Sequence, residues 1–221
     1  GGAALDPDGN VTITGVFSGA IDFGDGPRRA NGHDVFLAKL DPDGNPLFVR
    51  RFGAEGTIQW AHAVAAGPDG SSVLTGSQEG TIDYGGLSLN THGAFIFVVK
   101  FDAGGHPAWG KALGGSVDQD PVAVSVGPDG DVVLGGNAKR AVVDGVSLVG
   151  KGMMDVFVAR WSSAGELKWA GIFGDPEPYG PPAGHCLPCV DDQVQQNLLD
   201  LGGIDTCMRA AGRLALAGRS G

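Results

Sequence analysis

His185, Cys186, Cys189 and Cys207 bring all three thiols of the chain close to an imidazole in sequence, a set that chemistry could use. Thiolate and imidazole ligands would suit a tetrahedral zinc ion, although the spacing beyond the C-x-x-C pair is unusual for such a site. A disulfide, Cys189–Cys207 or Cys186–Cys207, uses the same residues and leaves one thiol over. A thioredoxin-like redox role needs a βαβ setting that the surrounding sequence lacks. Covalent haem attachment needs a histidine directly after the second cysteine, where Val190 stands.

A second set is carboxylate-rich. DPDGN occurs at 6–10 and 41–45, with GPDGS at 67–71 and GPDGD at 127–131. A hard cation such as calcium wants six to eight oxygen ligands, including a bidentate carboxylate further along. Here VTITG and PLFVR follow the first two motifs, and Gly67 and Gly127 replace the leading Asp in the others. These residues read instead as hairpin turns: Asp8-Gly9, Asp43-Gly44, Asp69-Gly70 and Asp129-Gly130. Asp can bond its own following backbone, and Gly accepts positive φ without steric cost. Asp22, Asp83 and Asp144 recur in IDFG, IDYG and VVDG settings and read as turn or strand-end caps. His33, His62, His92 and His106 read as loop, strand-start or turn residues. Nucleophile-elbow, phosphate-loop and zinc-protease patterns are missing from the sequence, so no catalytic residue, cofactor or established metal site is assigned.

The elements that must hold these residues emerge from an internal repeat. Gly44, Gly105 and Gly165 stand 61 and 60 residues apart. The same offsets carry VFLAKLD (35–41) onto IFVVKFD (96–102) and VFVARWS (156–162), and Phe48 onto Trp109 and Trp169. Periods of this length point to propellers or arrays. Each copy reads as two hairpins, hence four short strands, because Val-, Ile- and Phe-rich runs are bounded by Pro, Asp and Gly. The organisation is thus an all-β propeller of four-stranded antiparallel blades: blade 1 at 2–53, blade 2 at 61–114 and blade 3 at 121–174. A Pro- and Cys-containing insert follows at 175–202, then the first hairpin of a fourth blade at 203–221. A ring needs more, so the expectation is a fragment of a larger propeller. The repeated aromatics Phe48, Trp109 and Trp169 are expected to pack between blades.

Composition agrees. The 221 residues include 40 glycines, and 42% hydrophobic content argues for a packed core, not disorder. A formal charge of −10 disfavours nucleic acid and anionic membranes. No apolar run is long enough for a membrane helix. GGAALDPDGN, at the start, lacks the features of a signal peptide.

The pattern G-N-V-x-x-T-G-x-F-x-G-x-x-D-F-G at 9–24, the DVFLAKLDPDGN unit at 34–45 and the closing aromatic with F-G at 48–53 resemble the SBBP-type β-propeller repeats, with NHL-type repeats more distant. SSAG at 162–165 departs from that pattern. The resemblance implies a secreted or cell-surface bacterial protein, anchored by lipid where a leader precedes it. It also implies a non-enzymatic structural or interaction module with a protein or glycan ligand. Alternatives are a carbohydrate-binding propeller using the repeated aromatics, or the scaffold of a propeller-type enzyme whose site lies elsewhere. Binding is expected on the face carrying the long loops 18–34, 80–93 and 138–155.

Overall fold

The structure is a computed structural model, and it describes residues 1–54, 57–115, 120–151 and 155–174. These belong to one compact unit, Gly1–Pro178. The cysteines, His185, the insert and the hairpin expected at 203–221 lie outside the described residues.

All described regular structure is β, and every strand pair is antiparallel. Strands β1 (Gly2–Leu5), β2 (Val11–Ile21), β3 (Arg28–Leu40) and β4 (Pro46–Phe52) form a first sheet in that order. The second sheet holds β5 (Ile58–Ala66), β6 (Ser72–Asp83), β7 (Ser88–Phe101) and β8 (Pro107–Gly115), in the same meander. The third holds β9 (Asp120–Val126), β10 (Val132–Ala138), β13 (Asp155–Trp161) and β14 (Leu167–Phe173), ordered β14-β13-β10-β9. The all-β, antiparallel expectation holds, and the sheets stay open.

The third copy differs from the first two. In those, β2–β3 and β6–β7 continue past a bulge into one long hairpin. In the third, β10 stops at Ala138, and a separate hairpin of β11 (Arg140–Val143) and β12 (Val146–Val149) joins the edge of the second sheet beside β8. Two anchors account for the diversion. Asp155, buried, accepts from the Lys151 amide at 2.5 Å and pinches the chain where the long hairpin would otherwise continue. At the tip, Asp144 accepts from Trp161 Nε1 at 2.9 Å and pairs with Lys111 of β8 at 3.1 Å.

Strand alternation puts one face of each sheet against its neighbour. Leu37, Phe48 and Phe52 of the first sheet pack on Leu74, Phe97 and Phe101 of the second. On the opposite face of that sheet, Val73, Ile96, Val98 and Trp109 pack on Leu134, Phe157 and Trp161 of the third. The Trp109 and Trp161 rings lie 6.3 Å apart at 41°.

The joints repeat in detail. A β-carbon at Gly105 would stand 2.7 Å from the Phe48 ring, and one at Gly165 would stand 2.8 Å from Trp109. Each ring of a fourth strand therefore sits on a glycine of the next copy's last turn. Both glycines have positive φ, +76° and +85°, so they close the turn and clear space for the ring at once. Trp109 Nε1 also donates to the Ser163 carbonyl at 3.0 Å, while Arg50 donates to those of Gly104 and Gly105 at 3.1 Å.

Gly44 is the counterpart in the first copy, with φ +87° and no atom within 4 Å of where a β-carbon would stand. Replacing Gly44 by Ala is expected to cost about 1 kcal/mol, from backbone strain alone. Gly105→Ala is expected to cost roughly 2 kcal/mol more, because the methyl must displace the Phe48 ring. Urea melts of dilute protein measure the difference; equal losses would show that the ring contact is not structural.

Candidate functional site

The turns come first, since they decide whether the acidic motifs are free for chemistry. In DPDGN the leading Asp does the capping: Asp6 Oδ1 accepts from the amides of Asp8 and Asn10 at 3.0 and 2.9 Å. Asp41 does the same for Asp43 and Asn45 at 3.0 and 2.8 Å. Where glycine replaces that Asp, the second Asp takes over. Asp69 and Asp129 then accept from the amides of Ser71 and Asp131, each at 3.1 Å. Gly67 permits the exchange, since a β-carbon there would lie 2.7 Å from the Asp69 carboxylate. Gly9, Gly44, Gly70 and Gly130 all have positive φ and close the turns with their amides. Among the described residues no three acidic, imidazole or thiol groups converge as a metal-ligand set.

Asp22 and Asp83 cap the tips of the long hairpins, accepting from Gly24 and Gly26, and from Gly85 and Gly86. His106 lies in a turn with Asp102, and His62 Nε2 lies 3.2 Å from Ser77 Oγ.

At the turn end, Leu5-Asp6-Pro7, Ala66-Gly67-Pro68 and Val126-Gly127-Pro128 line one open cavity of about 380 Å³. These are equivalent positions of the three copies, each at the end of the first strand of its sheet. Three prolines, Val126 and the exposed Leu5 make it apolar in character.

The one carboxylate lining this cavity, Asp6, is held by Lys39 at 2.7 Å, and Lys39 is 2% exposed. Burial raises its pKa, but the hydrogen bonds from Lys39 and Asn10 outweigh that and hold it at about 2. So bonded, Asp6 is a structural anion and a poor proton acceptor. Lys39 also donates to the Gly70 carbonyl of the second copy at 2.8 Å. Lys100 repeats that reach, to the carbonyls of Gly130 and Ser163 at 3.5 and 3.4 Å. In the third copy Arg160 turns to Asp131 at 2.8 Å, beside Lys168 at 2.5 Å.

Near the long hairpins lies a different cluster. Trp60, 51% exposed, is stacked near His33 with centroids 6.4 Å apart at 22°. Buried Asp34 beneath them pairs with Arg51 and accepts from Gln59 Nε2 at 3.2 Å, and Gln59 also holds the His33 carbonyl at 2.7 Å. Three elements thus fix an aromatic pair at the surface. The repeat pattern reads His33 as a loop residue and does not single out Trp60, because neither recurs in the third copy. The repeated aromatics go elsewhere: Phe48 and Trp109 are buried against the next sheet. The side chain of His92 lies outside the described residues.

No known protein-family signature matches the chain. Over 177 residues it is 27% identical to the regulatory protein FlaEY of Caulobacter vibrioides, an alignment covering 75% of this chain. It spans 18% of that protein's length.

The Asp6–Lys39 pair gives a measurable pH dependence. Its folded pKa of about 2 lies below the ordinary 3.8, so its contribution is fully present above about pH 4 and is lost as pH falls towards 2. Asp6→Ala leaves Lys39 buried without its anion and is expected to destabilise by on the order of 3 kcal/mol. Adding Lys39→Met should recover most of that loss. Denaturant titrations at neutral and acid pH check both, and a wild-type curve that falls no faster than the double variant's below pH 4 would refute the assignment.

Proposed function

We propose that the three sheets are blades of a β-propeller, spanning 2–53, 61–114 and 121–174, and that the chain is a non-enzymatic interaction module of a secreted or surface-anchored bacterial protein. The observation that carries the propeller is the turn-end cavity: equivalent residues of three successive copies meet around it, as sheets fanned about a shared axis require. Packing both faces of the middle sheet, one against each neighbour, supports the same geometry.

Support for a module and not an enzyme comes from the use of the buried charges. Asp6 and Lys39, Asp34 and Arg51, and Asp131 with Arg160 and Lys168 are committed to turns and to one another. Binding, in this reading, belongs to the long-hairpin side, where Trp60 and His33 offer a rigid, exposed aromatic surface. Aromatic side chains contribute large contact area at low entropic cost, and a few such anchors carry most of an interface's energy. A glycan ligand would stack on Trp60, since Phe48 and Trp109 are occupied by packing.

Quantitative capture from surface extracts and culture medium on immobilised chain tests the proposal. Trp60→Ala is expected to reduce the captured ligand about tenfold or more. Pro68→Ala, in the turn-end cavity, should leave it unchanged. Equal capture by wild type and Trp60→Ala would move the site off this face, and steady turnover of a captured small molecule would overturn the module reading.

A further inference from the structure

The joints between sheets have a direction. Each sheet presents a fourth-strand aromatic and a third-strand cation, and the next receives them on turn glycines and turn carbonyls. Phe48, Arg50 and Lys39 of the first sheet meet Gly105, Gly104 and Gly70 of the second. Trp109 and Lys100 of the second meet Gly165, Ser163 and Gly130 of the third.

The two end sheets hold the unmatched halves of this joint. In the third, register pairs Arg160 with Trp169, and both lie on the face opposite Trp161. Trp169 Nε1 is buried and finds no acceptor among the described residues, whereas its counterpart Trp109 has one. In the first sheet, Gly44 carries no ring. Gly9 meets only the Pro42 side chain, at 3.6 Å, where Gly70 has the Lys39 ammonium at 3.4 Å.

The surrounding surfaces match in kind. Val11, Ile13, Phe36 and Leu40 line the outer face of the first sheet, none of them fully buried, while Val156 and Val158 lie on that of the third. Charge is complementary too: Arg160 and Lys168 stand at one end, and the exposed Asp8 and Asp43 turns stand at the other.

We propose that a second copy of this chain docks its first sheet onto the outer face of the third, continuing the joint that already links neighbouring sheets. The Trp169 ring seats on Gly44 of the second copy. Its Nε1 gains the carbonyl of that copy's Pro42, the position Ser163 holds in the third. The contact is head-to-tail, so it closes a ring or extends a chain, and it uses two different surfaces of each molecule. This inference rests on the blade reading above and adds the partner.

Sedimentation equilibrium of the 221-residue chain over a micromolar range tests it. The expected result is an average mass rising with concentration from 22.4 kDa to twice that or a higher multiple. Trp169→Ala and Gly44→Asn should each weaken association about tenfold or more. Asn tolerates positive φ, so the turn survives while its side chain fills the seat. Near-UV circular dichroism from the Trp109–Trp161 pair verifies folding of both variants.

Mixing the two variants is the decisive arm, because each keeps the half that the other lacks. An equimolar mixture should form a one-to-one pair with wild-type affinity and nothing larger. A chain that is monomeric throughout, one that associates regardless of either substitution, or a mixture that fails to pair would each overturn the docking. A folded monomer whose Trp60-dependent capture persists would do so while leaving the interaction-module reading intact.

Discussion

A left-handed glycine at the last turn of each copy is the constraint on which the rest depends. At Gly105 and Gly165 the positive φ closes the hairpin, and the missing β-carbon admits the ring of the preceding sheet. Any other residue would meet both a backbone strain and a steric clash. A local turn preference is thereby coupled to a tertiary contact some 55 residues away in sequence, Phe48 to Gly105 or Trp109 to Gly165. Closing such long-range contacts costs loop entropy, which the recurrence of short hairpins keeps small within each sheet.

Buried charge is arranged around the same turns. Lys39 and Lys100 are each nearly inaccessible, and each reaches a carbonyl of the next copy's turn. Lys39 also has a carboxylate within its own copy, because Asp6 occupies the position where the later copies have Gly67 and Gly127. Copies that lose this Asp recover the turn cap from Asp69 or Asp129, so the motif tolerates either acidic position but not the loss of both. The acidic repeats are thus a folding device. Their carboxylates are consumed by backbone amides, which holds several of them below the usual carboxylate range: hydrogen bonding by Asn45 lowers Asp41, and the Asp131 amide lowers Asp129.

Much of this is legible in the sequence. The offset between Gly44, Gly105 and Gly165 locates the turns, and alternation of apolar residues locates the strands, because both are local consequences of φ preference and the two-residue pleat. What escapes is non-local. Nothing near Lys139 announces that β11 and β12 leave their own copy for the edge of β8, since the cause is Asp144 meeting Trp161 and Lys111. Trp60 escapes because a repeat pattern favours positions that recur, and its exposure depends on His33 and Gln59 from elements distant in the chain. The equivalence of Leu5, Ala66 and Val126 is visible as a spacing, but their convergence on one cavity is a property of how sheets fan.

A repeat architecture separates stability from function in a way these residues make concrete. Positions that recur are consumed by the joint between sheets, and so they cannot also select a ligand: the Phe48 and Trp109 rings are covered, and the turn carboxylates are bonded. Selectivity must then come from residues that break the repeat. Trp60 with His33 on one side and Asp6 with Leu5 on the other are such breaks, and they sit at opposite ends of the first two sheets. Of these, Asp6 is immobilised by Lys39 and serves the fold, whereas Trp60 leaves half its surface to solvent. An exposed aromatic held by a buried Asp–Arg pair and a bridging Gln has had its orientation fixed before any ligand arrives. That preorganisation is what distinguishes a binding surface from an apolar residue left outside by chance.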